Sequence, residues 1–152
     1  MEMQTNHYRR FLLMIALHFI AMYILMYSMV NALNNVFNSF NQIYMAALMT
    51  ASMILIELPL MSSMYKSKRL NAVIIAVGAT VLIGSFVLIR EQGLISDRQF
   101  LRSMIPHHAG AILMCQKASI QDREIKELCK TIMSGQEAEI DQMKKKLDEL
   151  GR

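Results

Sequence analysis

The sequence lacks the features that mark most enzymes and most nucleic-acid-binding proteins. It has no Gly-rich loop to cradle a phosphate, no nucleophile set beside a base, and no Glu-x-x-His pair of the kind that builds ferritin-type di-metal sites. An enzyme is therefore not expected. The two cysteines, Cys115 and Cys129, do not form a C-x-x-C motif. Clustered basic charge is missing too. The net charge is +4, but residues 96–152 hold ten Lys/Arg against nine Asp/Glu, which describes a solvated helical surface and not a nucleic-acid footprint. Charge of either sign is scarce earlier. Residues 1–95 carry six Lys/Arg and three Asp/Glu, and most of the 54% apolar content lies before residue 90.

Long apolar runs fill that charge-poor part. Phe11–Leu33 is 23 residues without a formal charge, enough for the ~20 that cross a bilayer. A signal peptide would have a shorter apolar core and a small-x-small cleavage site. This run passes into Asn-rich sequence instead, so it is read as a retained anchor. Ile43–Tyr65, interrupted by Glu57 and Pro59, is the second expected span, and Ala72–Ile89, with Gly78 and Gly84 inside it, is the third. Arg9 and Arg10 precede the first span. Lys66, Lys68 and Arg69 fill the loop between the second and third, whereas Asn34–Gln42 carries no charge. The positive-inside rule then puts the N-terminus and both basic clusters in the cytoplasm, and everything after residue 90 on the opposite face. In a bacterium that means an inner-membrane protein with a periplasmic or extracellular C-terminal part. Counted from these boundaries, His18 and Glu57 lie at similar depth and form a candidate intramembrane pair. Methionine is abundant, with fifteen in 152 residues. Met22, Met26 and Met29, and likewise Met45, Met49 and Met53, recur at helical spacing. They are read as flexible apolar filler in preference to a thioether ladder for Cu(I).

Beyond residue 90 the pattern becomes amphipathic. Glu91–Ile95 is a short linker. Ser96 with Gln99 three residues on resembles a capping box, and Asp97 adds negative charge to the first turn, so a helix is expected over 97–118. Pro106 is expected either to kink this helix or to start a fresh one. A turn capped by Asp122 leads into a return helix over 123–149, with Ile125, Leu128, Ile132, Ile140 and Leu147 on its apolar side. The expected fold class is all-α: three transmembrane helices over 1–92, then an extramembrane antiparallel helical hairpin over 93–152.

Folding that hairpin about residue 120 sets His107 and His108 opposite the turn Met133–Gln136 and Met104 opposite Glu137–Ile140, with Glu139 and Met143 one to two turns further along. Imidazole, thioether and one carboxylate then converge from both helices. Histidine together with methionine selects a soft or borderline ion, Cu(I) ahead of Zn(II). Neighbouring residues point about 100° apart on a helix, so one ring ligates while the other bonds a carboxylate or meets a second subunit. The alternative is a pair of half-exposed histidines flanking a proline kink. The cysteines come to facing sides of the hairpin. Helix axes ~8–10 Å apart work against the short Cα separation of a disulfide. The cysteines are therefore read first as buried small apolar residues, with a disulfide or a thiolate contribution to a metal as alternatives.

The pattern D-x-x-F-L-x-x-M-I-P-H-H-x-x-A-I-x-M from Asp97 to Met114, followed by Q-x-x-E-I-x-x-M from Gln136 to Met143, resembles the domain-of-unknown-function-305 family over about residues 95–150. The spans, including MYKSKRLN at Met64–Asn71, resemble a three-span membrane subgroup of it. The resemblance implies half of a ferritin-like four-helix bundle and a periplasmic copper-binding role linked to copper tolerance. Carried over by position, it implies the ligand set Met104, His107, His108, Met114, Glu139 and Met143. This chain departs from the family in two ways. Cys115 and Cys129 stand where small residues such as alanine are usual, and there is one hairpin where fuller members have two. A lone hairpin buries little apolar surface, so a homodimer that completes a four-helix bundle is expected. The expected partners are thus the lipid bilayer, a second copy and a copper-handling protein. The leading expectation is Cu(I) sequestration or hand-over through a His/Met site. The rival is a metal-free, membrane-tethered module for oligomerisation or docking, sensitive to core positions such as Ala111 and Ile132.

Overall fold

The computed structural model describes residues 2–151, which form five α-helices and no strand. Helix α1 spans Glu2–Leu25, α2 Phe40–Leu60, α3 Lys68–Arg90, α4 Asp97–Lys117 and α5 Arg123–Glu149, with 3-10 turns at Met26–Met29 and Leu33–Asn35. The chain divides into two compact units. One comprises Met1–Leu25 and Asn41–Leu94, the other Met26–Phe40 and Ile95–Arg152.

In the first unit, three stretches are long and apolar enough to cross a membrane: Asn6–Met29, Phe40–Leu60 and Lys68–Arg90. They start and stop a few residues away from the expected spans. One difference, at the end of α2, bears on the expected site residues. Pro59 lacks an amide proton and crowds the preceding turn, and past Leu60 the chain leaves the helix through turns at Met61–Met64. Tyr65 folds into a buried cluster instead of extending the span, with its ring 5.1 Å from Phe11 and 5.3 Å from Tyr8. Polar bonds tie the same end: Tyr8 Oη donates to Asn71 Oδ1 (2.7 Å), and Asn71 Nδ2 donates to the Tyr65 carbonyl (2.7 Å). At the opposite end Asn41 Nδ2 donates to Gln92 Oε1 (3.0 Å) and Tyr44 Oη to the Gly93 carbonyl (3.0 Å).

This arrangement corrects the His18–Glu57 pairing. Because α2 stops at Leu60, Glu57 sits in its last turn. Leu58 packs in one cluster with Phe11, which puts His18 about two turns deeper than Glu57. Among the described residues no hydrogen bond or ion pair joins them.

In the second unit α4 and α5 pack together around Ile105, Ala109, Ile112, Ile140 and Leu147. Helix α4 runs through Pro106 unbroken. The segment Met26–Phe40 contributes Val30 and Phe37 to that core. Tyr27 Oη closes the segment on the Phe37 carbonyl (2.8 Å). Gly110 lets it come close, since a Cβ there would lie 3.4 Å from the Met29 carbonyl oxygen. The capping box does not form. Ser96 is the N-cap by its backbone, but its hydroxyl makes no cap bond, and Gln99 Oε1 accepts from the Phe40 amide (3.0 Å) instead. An amide with no helical partner competes successfully for that side chain. Asp122 does cap α5, accepting from the Ile125 amide at 2.9 Å.

Ile112 is 1% exposed and meets this core from α4. Ile112→Ala is expected to destabilise the α4–α5 unit by about 2–5 kcal/mol. Hydrogen exchange of the α4 and α5 amides in the full chain reads this directly. Unchanged protection would refute the assignment of this core.

Candidate functional site

Three of the expected site residues meet at one point. His108, only 9% exposed, bonds through both ring nitrogens: Nδ1 lies 2.9 Å from the Met104 carbonyl oxygen and Nε2 lies 2.7 Å from Glu139 Oε2. A carbonyl only accepts, so Nδ1 carries a proton and donates it. The Glu139 carboxylate is also an acceptor. The Nε2–Oε2 contact thus joins the imidazole of α4 to a carboxylate of α5. The Glu139 side chain is 56% exposed, so on its own side the pair is screened by water and adds little to stability.

The register differs from the level count made on the sequence. His108 meets Glu139, about a turn beyond the expected Met133–Gln136. Side chains lean toward the N-terminus of their own helix. On α4 that lean points away from the connecting turn, and on α5 toward it, so long side chains meet further along than their backbones. The short cysteine side chains show less of this offset. Met104 lies one turn before His108 and Met143 one turn after Glu139, so the same register brings the two methionines to the next level. Met143 packs on the core there.

The other two expected ligands stand apart. His107 is exposed, with its ring centroid 6.1 Å from that of His108 and tilted 64° to it. Met114 is 54% exposed and lies nearly two turns toward the connecting turn. Among the described residues, no group of three or more His, Cys, Asp or Glu converges on one point. The donors that fit a soft ion are fewer than the resemblance implied: the thioethers of Met104 and Met143, and His108 Nε2 with Glu139 beside it. A ring that donates Nδ1–H to a backbone carbonyl and presents Nε2 is the usual posture of a metal-bound imidazole, so the donor chemistry fits.

The cysteines are not the buried small apolar residues expected. Cys115 and Cys129 are half-buried and joined in a disulfide, with Cα atoms 5.3 Å apart, inside the ordinary range. The two helices approach each other closely near their turn, which a fixed axis separation did not anticipate. Thiolate ligation is closed to a bridged pair. Sequence reasoning also missed the segment Met26–Phe40. Its only advance sign was the pair of apolar residues, Val30 and Phe37, set in an Asn-rich stretch.

A family model described as Domain of unknown function (DUF305) matches residues 86–147. A curated relative, the "Uncharacterized protein L153" of Acanthamoeba polyphaga mimivirus, is 33% identical over 141 residues, covering 91% of each chain. That similarity takes in both units and not the helix pair alone. No solved structure matches.

The disulfide spans a sequence separation of 14. Closing a loop of that size stabilises by about 3 kcal/mol through the unfolded chain. Cys115→Ser/Cys129→Ser is expected to reduce the protection of α4 and α5 amides against hydrogen exchange by that amount. Reductant should do the same to the natural chain and nothing to the variant, and an effect of reductant on both would exclude the bridge as its cause.

Proposed function

The chain belongs to the DUF305 family, and on that premise we propose that it is a membrane-anchored binding protein that takes up a soft metal ion, Cu(I), for sequestration or hand-over. The observation that carries this reading is the His108 site. A buried imidazole is oriented by the Met104 carbonyl and contacts Glu139, and the helix register brings Met104 and Met143 to the next level. Glu139, being exposed, has room to withdraw. Met104, His108 and Met143 would hold the ion, with Glu139 beside it. A soft ion suits thioether and imidazole donors, whereas Zn(II) would call for more thiolate or carboxylate. His107 and Met114 belong to the surface in this reading, available to a docking partner.

Orientation has support of its own. The two parts of the second unit, Met26–Phe40 and the segment from Ile95 on, follow the first and third spans, so both leave the bilayer on one side. The basic clusters leave on the other. A disulfide in the same unit suits an oxidising compartment. In a bacterium this is the periplasmic side of the inner membrane.

A specific observation favours a second role alongside metal uptake. Met114, Ile125 and Leu128 are each about half exposed although apolar, close to the turn of the helix pair. A second copy would bury them and complete a four-helix bundle.

Competitive Cu(I) titration of the reductant-free, detergent-solubilised chain tests the first reading. We expect one ion per chain, His107→Ala near normal, and Met104→Leu/Met143→Leu weakened by more than the roughly 10–100-fold typical of losing an outer partner. Absence of stoichiometric binding would refute the reading. Light scattering in mild detergent tests the second, with a dimer expected that Leu128→Glu disrupts. A natural chain that is monomeric would exclude it.

A further inference from the structure

In the second unit, a pocket of about 510 Å³ opens between the start of α4 and the end of α5, lined by Phe37, Arg98, Arg102, Leu147, Asp148 and Gly151. Its two arginines stand one turn apart on α4. Neither has an ion pair or a hydrogen bond among the described residues, although exposed lysines of α5 do: Lys130 pairs with Glu127 (2.8 Å) and Lys146 with Glu149 (2.9 Å). Arg102 is half-buried and its Nε is enclosed without a partner. The terminal nitrogens of its guanidinium are the edge left open to the pocket. A charge withdrawn from water in this way is ordinarily paired.

Arg98 comes from the first turn of α4 yet reaches the last turn of α5: a Cβ on Gly151 would lie 3.1 Å from its Nη2. The carboxyl end of a helix favours a cation there. Asp148 lines the pocket from the same turn and, among the described residues, pairs with neither guanidinium. Two guanidiniums and one separate carboxylate therefore share the pocket. A simple anion would meet the carboxylate as well as the arginines. A zwitterion matches both signs, with phosphate oxygens on the guanidinium forks and an ammonium on Asp148.

Position narrows the source of such a group. Phe37, in the pocket wall, stands three residues before Phe40, the first residue of α2, a separation of at most about 11 Å of chain. Gln99, between the two arginines in sequence, accepts from the Phe40 amide at 3.0 Å. The pocket thus lies beside the point where α2 begins. On the reading that α2 crosses a bilayer, that point is the headgroup layer, which flanks the ~30 Å hydrocarbon core by roughly 5–8 Å on each side. A phosphate and an ammonium on one molecule are what a phosphatidylethanolamine headgroup presents there.

We propose that this pocket is a binding site for a phosphoethanolamine headgroup, supplied by phosphatidylethanolamine of the leaflet at which α2 begins. Arg98 and Arg102 hold the phosphate, and Asp148 holds the ammonium. The proposal rests on the reading that α2 spans a bilayer and is independent of the metal reading. It assigns a binding role alone.

The test is native mass spectrometry of the full chain, delipidated in mild detergent and then offered phosphatidylethanolamine, phosphatidylglycerol or phosphatidylcholine of matched acyl chains. One phosphatidylethanolamine per chain is expected to be retained, at about tenfold lower lipid concentration than either of the others needs. Arg102→Gln should weaken that retention about tenfold. Asp148→Asn should weaken phosphatidylethanolamine while leaving or raising phosphatidylglycerol, a reversal that misfolding does not produce. Hydrogen exchange of the α4 and α5 amides checks that each variant is folded. Equal retention of the three lipids, or equal retention by natural chain and Arg102→Gln, would overturn the proposal in favour of ordinary surrounding lipid. Displacement by water-soluble glycerophosphoethanolamine at the lipid's own concentration overturns the lipid as the source of the headgroup. A chain that stays soluble without detergent or bilayer overturns the membrane reading and the site with it.

Discussion

The contact between α4 and α5 is pinned at two heights, by the Cys115–Cys129 bridge near the turn and by His108 against Glu139 two turns away. Two such links fix both the spacing and the register of an antiparallel pair. Everything chemical in the second unit inherits that register: which carboxylate meets the buried imidazole, where the two thioethers fall, and which apolar side chains are left outside. The bridge acts mainly on the unfolded chain. The His108–Glu139 bond, half open to solvent, chooses a register more than it adds stability.

Two helices make a small core, and the unit enlarges it by borrowing. Val30 and Phe37 arrive from the connection between the first two spans and pack against the core of α4 and α5. The borrowed segment satisfies its own backbone as it comes: Tyr27 closes it, Gln99 receives its last amide, and Gly110 leaves room for it. A pair of helices with these additions remains modest in buried area, which agrees with the half-exposed apolar side chains near its turn.

The three-helix unit follows a different economy. Its ends are tied by polar and aromatic contacts, Tyr8–Asn71 with Tyr65 at one end and Asn41–Gln92 at the other, and an apolar crevice lies along its middle. In a bilayer, helices gain little from excluding lipid, since tails are as apolar as side chains. Ties at both ends therefore matter for such a bundle. Small residues serve close approach instead: a Cβ at Gly78 would lie 3.3 Å from the Leu55 side chain of α2.

Much of this was legible in the sequence, because charge, apolar run length and helical period are local quantities. The absence of charge marked three spans. Asp122 marked the start of α5, and the M-I-P-H-H and Q-x-x-E-I-x-x-M blocks marked the two helices that carry His108 and Glu139. What tertiary structure alone decided was who meets whom. Counting backbone levels put His108 opposite the wrong turn, because the lean of a side chain along its helix matters only once a second helix faces it. Gln99 had a local role available at Ser96 and lost it to an amide 59 positions away. Glu57 matched His18 in depth only until Pro59 and Tyr65 shortened α2. The cysteines paired because the two helices close at their turn, a distance that no spacing along one chain records.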